Sequence, residues 1–177
     1  GDLLTLSKPA DAVIEPIDVN EIGRQVVQAA AGLAETRGVE IELVTGDVEG
    51  CAAGDSARLY QALMNLVRNA IDAEPAGGLV HLTTELCRRA DPVGPAVRIR
   101  VHNAGSYIPP EQHEEIFRPF VSRKTTGTGL GLAISQTIIE EHDGTISVES
   151  TLDGGTEFTV ELPLSNSRAP AATVGDL

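Results

Sequence analysis

The stretch LYQALMNLVRNAIDA, Leu59 to Ala73, reads as a helix with two distinct faces. Leu59, Leu63, Leu66 and Ala70 keep helical spacing and form an apolar stripe. Beside it Arg58, Gln61, Asn65 and Asn69 follow steps of three, four and four and form a polar stripe. Asparagine is only a middling helix former, yet Asn65 and Asn69 stand mid-helix among leucines. Two amide oxygens one turn apart can ligate a hard cation such as Mg²⁺ and still leave positions for phosphates and water. The alternative is that both amides cap loops or lie in solvent. Asp55 or Ser56 is placed to cap this helix.

Working outward, EPIDVNEIGRQVVQAAAGLAETRG reads as a short extended segment followed by a helix. Ile22, Val26, Ala29, Ala30 and Leu33 carry its apolar face, and Gly38 supplies the stop. VEIELVTG alternates as a strand, and Gly77-Gly78 breaks the chain after the asparagine-bearing helix. LVHLTTELCRR and AVRIRVHN follow as strands around a polar loop containing Pro92, Gly94 and Pro95. PPEQHEEIFRPF suggests a short helix, Leu130 to about His142 another, and TISVESTLDGGTEFTVELPL a hairpin. The tail SNSRAPAATVGDL lacks periodicity and reads as disordered or a linker. The mixed order predicts a two-layer α/β sandwich, a mixed sheet of about five strands packed on three helices. That architecture alone says nothing of function.

TTGTGLGLAIS, Thr125 to Ser135, places Gly127, Gly129 and Gly131 at alternate positions before a helix. Glycine costs about 1 kcal/mol relative to alanine inside a helix, so the run implies a close approach to this backbone. It is not the dinucleotide fingerprint, whose second and third glycines are two residues apart, and the chain has no glycine-lysine-serine/threonine phosphate loop. What remains is a glycine-rich turn feeding a helix start, whose free N–H groups and positive dipole end can hold phosphate oxygens. A flexible surface loop is the bland alternative. In AVRIRVHNAG, Val97, Ile99 and Val101 share one strand face, and Asn103 continues it. An amide ending an apolar row suits an adenine pocket, where it can accept from the exocyclic amine. An Asn-Ala-Gly turn, with the side chain bonding its own backbone, is the other reading.

Bulk properties narrow the classes. The net charge is −13 over 177 residues, which argues against a nucleic-acid surface but not against a nucleotide carrying its own cation. No apolar run is long enough to span a membrane and no signal peptide opens the chain. Cys51 and Cys87 match no metal-ligand spacing and suit buried free thiols in a reducing compartment. These features predict a cytoplasmic domain, cut at its start from a longer polypeptide.

Together the segments resemble the catalytic ATP-binding domain of bacterial sensor histidine kinases, of the superfamily that also holds DNA gyrase, MutL and a heat-shock chaperone. The resemblance covers about Ile17 to Leu164. LYQALMNLVRNAIDA is similar to the asparagine box, VHNAGSYIPPE to the first glycine box, EEIFRPF to the phenylalanine box and GTGLGLAIS to the second glycine box. DGGTEFTVELP is similar to the terminal hairpin. The lid segment PFVSRKTTGTGLGL resembles the nitrogen-regulation type most sharply. The resemblance implies a Bergerat-type fold with ATP and Mg²⁺ as cofactors. It implies Asn69 as principal metal ligand with Asn65 assisting, and Lys124 reaching the terminal phosphates. It further implies nucleotide contacts from Arg68, Asn103, Gly105, Ile108, Thr128, Gly129, Leu130, Gly131, Leu132 and Thr156, with Phe117 and Phe120 anchoring the lid.

Three positions depart from the family. Asn103 stands where aspartate is usual, Tyr107 replaces the second glycine of its box, and Asp72 stands where many members carry a basic residue. Asn65 occupies the place of the glutamate that prepares water in hydrolysing relatives. An amide cannot take a proton at neutral pH, so ATP is expected to hydrolyse slowly. None of His81, His102, His113 and His142 lies in the family's phosphoacceptor pattern. The resemblance therefore implies residues 1–10 as the end of an upstream dimerisation and phosphoacceptor hairpin, 11–164 as the catalytic domain and 165–177 as tail. Its partners would be that phosphoacceptor domain and a response regulator, with no nucleic acid, no membrane contact and dimerisation only through upstream helices. The rival readings are a degenerate domain of the same fold acting through protein contacts, and a serine kinase of the anti-sigma type.

Overall fold

Two aspartates start the long helices. The computed structural model describes residues 15–48, 51–90, 93–121 and 129–165. After the short strand β1 (Glu15–Ile17), Asp18 accepts hydrogen bonds from the N–H groups of Asn20 and Glu21 and opens α1 (Val19–Arg37). Gly38, at φ 67°, closes α1 in the left-handed conformation. Strands β2 (Glu40–Thr45) and β3 (Cys51–Gly54) follow. Asp55 accepts from the N–H groups of Ala57 and Arg58 and opens α2 (Ser56–Ala73).

The remaining elements are β4 (Leu79–Ala90), β5 (Val93–Asn103), 3₁₀ turns at Pro110–Gln112 and Glu115–Phe117, α3 (Gly131–Glu141), β6 (Thr145–Thr151) and β7 (Gly155–Ser165). The sheet has seven strands in the order β1-β3-β7-β5-β4-β2, with β6 also pairing β7. β2 runs parallel to β4 and the other pairs are antiparallel. One face is apolar: Val80, Leu82, Val97, Ile99, Val101, Val160 and Leu162 are buried there. α2 packs on this face between α1 and α3 and buries Leu59, Ala62, Leu63, Leu66, Val67, Ala70 and Ile71. The predicted sandwich is thus observed, with the apolar stripe of α2 at its centre.

The differences from expectation are local. Two extra strands, β1 and β3, have only three and four residues, too few to show alternation. Gly94 and Pro95, expected in a loop, continue β5 opposite Arg89 and Arg88; the long β4–β5 ladder overrides their turn-forming tendency. The short helix expected after β5 is two 3₁₀ turns, held by bonds such as Gln112 N–H to Pro109 O at 2.9 Å. Residues 1–10, the tail after Ser165, Lys124 and Thr128 lie outside the described residues. Among the described residues, no helix is long and apolar enough to cross a membrane.

Candidate functional site

The start of α3 is built differently from the starts of α1 and α2. Leu130 occupies its N-cap position, and among the described residues no side-chain cap hydrogen bond forms there. The first-turn amides, left by geometry without intrahelical partners, therefore lack the aspartate cap that opens α1 and α2. Gly129 enters the helix at φ 68°, a conformation that favours glycine. A Cβ there would lie 2.6 Å from the carbonyl carbon of Phe120. The close approach implied by the glycine run is thus met at Gly129 by the chain's own Phe120–Val121 backbone, joined by Phe120 N–H to Gly129 O at 3.0 Å.

α2 and α3 lie antiparallel. At one end Arg58 pairs with Glu141. At the other, Asn65 Nδ2 donates to Gly131 O at 3.2 Å and to Ser135 Oγ at 3.4 Å. Ser135, fully buried, lies within donating distance of Ala62 O at 3.1 Å and Gly131 O at 3.0 Å. Asn69 stands one turn farther along α2, about 6 Å at the helical rise. Since α3 begins opposite Asn65, Asn69 is placed beyond the first residue of α3, where the uncapped end opens. Arg68 is exposed. Asp72 pairs with Arg37 at 3.0 Å, so its departure from the family's basic residue serves the contact with α1.

The second half of the site lies at the end of β5. Asn103 continues the buried face of Val97, Ile99 and Val101 as the alternation predicts, and is only 2% exposed. It pairs in register with Thr156 of β7, 1% exposed. Asn103 Nδ2 donates to Ser106 Oγ at 3.1 Å, and Ser106 Oγ donates to Thr156 Oγ1 at 3.0 Å. Ile108 N–H donates to Ser150 Oγ at 2.9 Å. Gly105 is required by packing: its N–H donates to Glu74 Oε2 at 2.7 Å, and a Cβ would overlap the carbonyl of Ala73 at the end of α2. Ile108 and Leu132 are partly buried against the core.

The structure thus brings together Asn65, Leu130 and Gly131 on one side, and Asn103, Gly105, Ile108 and Thr156 on the other. Sequence reasoning missed Ser106, Ser135 and Ser150, because nothing in a linear chain marks which hydroxyls meet across 40 or more residues. Of the two lid phenylalanines, Phe117 meets Phe158 edge to face at 6.3 Å. Phe120, expected as a second anchor, is 79% exposed at φ 68°. Its backbone is fixed by Gly129, and the ring does not pack on the core. Among the described residues no three His, Cys, Asp or Glu side chains gather to hold a metal ion. A cavity of about 480 Å³ lined by Arg89, Glu140, Asp143, Gly144 and Pro163 lies at the opposite end of α3 from this site.

Residues 54–166 match the family model described as histidine kinase-, DNA gyrase B-, and HSP90-like ATPase. The sensor histidine kinase ZraS of Escherichia coli (strain K12) is 34% identical over 95% of this chain and 35% of its own length. Sporulation kinase C of Bacillus subtilis (strain 168) is 37% identical over 94% of this chain and 38% of its own. The chain therefore spans about a third of the length of these relatives. Their names do not single out the nitrogen-regulation type that the lid segment resembles. Among solved structures, the nucleotide-free catalytic domain of histidine kinase ThkA superposes with a TM-score of 0.74 at 33% identity, covering 85% of this chain and 95% of that one. Full-length ShkA in complex with AMPPNP gives 0.77 at 29% identity, covering 92% and 34%. With its asparagine-bearing helix, uncapped glycine-led helix and mixed sheet, this chain belongs to the histidine kinase-, DNA gyrase B-, and HSP90-like ATPase family, as a catalytic ATPase domain of the sensor histidine kinase kind.

Proposed function

We propose that this domain holds Mg-ATP between α2 and the start of α3 and donates the γ-phosphate to a histidine on a separate domain, in two-component signalling. The observation that carries this is the uncapped end of α3 abutting the amide stripe of α2. The free amides of Gly131 and its successors suit phosphate oxygens, and the glycines keep side chains out of the way.

The residues present fit a magnesium ion. The NH₂ of Asn65 is occupied by Gly131 O and Ser135, which leaves its Oδ1 as a hard oxygen donor. Asn69, one turn on, is the second. A bound magnesium ion would supply charge neutralisation for the phosphates. The chain's own groups orient and hold the nucleotide, and phosphoryl transfer asks little more of a protein. Asn65 cannot serve as general base, so the site favours transfer to an imidazole, which already has a lone pair, over hydrolysis. Lys124 and Thr128 complete the phosphate contacts in this reading, with Arg68 at the rim and Leu130 and Leu132 beside the nucleotide.

Asn103 reads the adenine edge, with Gly105, Ile108 and Thr156 around it. Residues 11–164 form the catalytic unit, working on the cytoplasmic side with its own dimerisation and phosphoacceptor domain and a response regulator. Calorimetric titration tests the core of this. Mg-ADP and Mg-ATP should bind, and Asn69→Ala should lower the magnesium-dependent affinity at least about tenfold, or roughly 1.4 kcal/mol. Magnesium dependence that persists in Asn69→Ala would overturn the metal assignment. No heat at millimolar nucleotide would favour a degenerate domain that acts through protein contacts.

A further inference from the structure

The hydroxyls around Asn103 form a chain with a direction. Each hydroxyl has one proton to donate. That of Ser106 goes to Thr156 Oγ1 at 3.0 Å, and that of Thr156 goes to Ser106 O at 3.1 Å. Ser150 accepts from Ile108 N–H at 2.9 Å and has one proton for two acceptors, Thr156 Oγ1 at 2.8 Å and Gly155 O at 3.0 Å. Ser106 Oγ therefore has only a lone pair for Asn103, and it accepts from Nδ2 at 3.1 Å. Turning the amide over would bring two acceptors together, unless Ser106 gave up its bond to Thr156. Asn103 is nearly fully buried, so no bulk water repairs that loss.

We infer that Ser106 and Thr156, supported by Ser150, are purine-selectivity residues: they hold the Asn103 NH₂ against the protein so that only Oδ1, an acceptor, is left for the base. This rests on the reading of Asn103 as the group that meets the base edge. An acceptor suits the 6-amino group of adenine and opposes the 6-oxo group of hypoxanthine or guanine. A carboxylate would achieve the same discrimination by having no donor at all. Here a neutral amide achieves it because its donor half is already engaged. Ser106 and Thr156 act through Asn103 and are positioning residues.

The test compares ADP with inosine diphosphate by calorimetry, at fixed magnesium, in the wild-type protein, Ser106→Ala, Asn103→Asp and the double variant. The wild type should prefer ADP. Ser106→Ala frees the amide to turn, so the ADP-to-IDP affinity ratio should fall roughly tenfold, about the value of one hydrogen bond, largely through gained IDP affinity. In the Asn103→Asp background the same substitution should leave the ratio unchanged, because a carboxylate has no orientation to fix. If Ser106→Ala does not fold, Thr156→Val serves instead: it removes the acceptor for the Ser106 proton and should lower the ratio in the same sense. Equal weakening of both nucleotides, or the same fall in both backgrounds, overturns the inference while leaving the nucleotide site in place. A wild-type protein that binds neither nucleotide overturns the site and the inference together.

Discussion

Gly129 shows at the scale of one residue how the turn into α3 is held. Its φ of 68° places an L-residue in the left-handed region, which costs roughly 1–2 kcal/mol. A Cβ would also press within 2.6 Å of the Phe120 carbonyl carbon. Gly129→Ala should therefore destabilise the domain by about 2 kcal/mol or displace the start of α3. Denaturant unfolding measures the first outcome, and a loss of Mg-ADP affinity at unchanged stability reports the second. A variant that matches wild type in both would show that the turn tolerates a side chain. At Asn103, replacement by aspartate gives a charged acceptor in place of a neutral one, and charge-assisted hydrogen bonds are roughly twice as strong. Asn103→Asp should tighten ATP binding by about fivefold, or roughly 1 kcal/mol; unchanged affinity would remove Asn103 from the base contact.

Among elements, the sheet divides its two faces by chemistry. Opposite the apolar face, Arg98 bridges Glu161 at 2.7 Å and Glu85 at 2.9 Å, and Arg100 meets Glu85 at 2.8 Å and Glu157 at 3.5 Å. These residues lie on β4, β5 and β7 and tie three strands across the face. Burial works to raise the Glu85 carboxyl, but hydrogen bonds from Arg100 and Arg98 outweigh it and hold it below the usual range. A carboxyl depressed in the folded state stabilises the fold above its unfolded pKa, and that contribution is lost as pH falls through the folded value. Glu85→Gln should therefore lower stability at neutral pH and flatten the acid limb of a stability-versus-pH curve, with little difference from wild type once the wild-type Glu85 carboxyl is protonated. Identical curves for the two proteins would deny the network any part in acid sensitivity. Burial pushes the nearby Cys87 thiol up, which keeps it in the unreactive protonated form. The elements legible in the sequence were those with a sustained period or a clear start and stop: α1, α2, α3 and the strands that alternate against the helices. β1, β3 and the two 3₁₀ turns after β5, of three or four residues each, were too short to carry a period. The candidate site was legible as residue types on the right elements, Asn65 and Asn69 on one helix and Asn103 closing a strand. The serines that orient two of those amides were not, since Ser135 and Ser106 acquire their roles only when α3 and β7 pack beside them.

At the scale of the whole molecule, each of the four histidines already has a partner within the fold. His81 Nδ1 meets Glu42 Oε2 at 3.0 Å on the sheet face, and His102 donates from Nε2 to Gly154 O at 2.8 Å. His113 donates from Nε2 to Ile108 O at 3.0 Å. His142, buried at the end of α3, donates from Nδ1 to Ile138 O at 2.6 Å and accepts the Asp55 N–H at 2.9 Å. Both His142 nitrogens are therefore occupied, and a Cβ at Gly54 would overlap its ring. That histidine joins the end of α3 to the cap of α2, so it fixes the antiparallel alignment that puts Asn65 beside Gly131. A phosphoryl group on it would break the joint that builds the site. With Asn65 unable to act as base and no imidazole offered to the γ-phosphate, this chain should bind Mg-ATP and keep it. Incubated with radiolabelled ATP, it should yield neither labelled protein stable to alkali nor free phosphate above a protein-free control, while calorimetry still reports binding. Label on any of the four histidines would mean that the site reaches its own chain, and rapid phosphate release would mean that a group other than Asn65 prepares water. Either result would sever the link drawn here between an amide-lined phosphate site and transfer to a histidine carried on another domain.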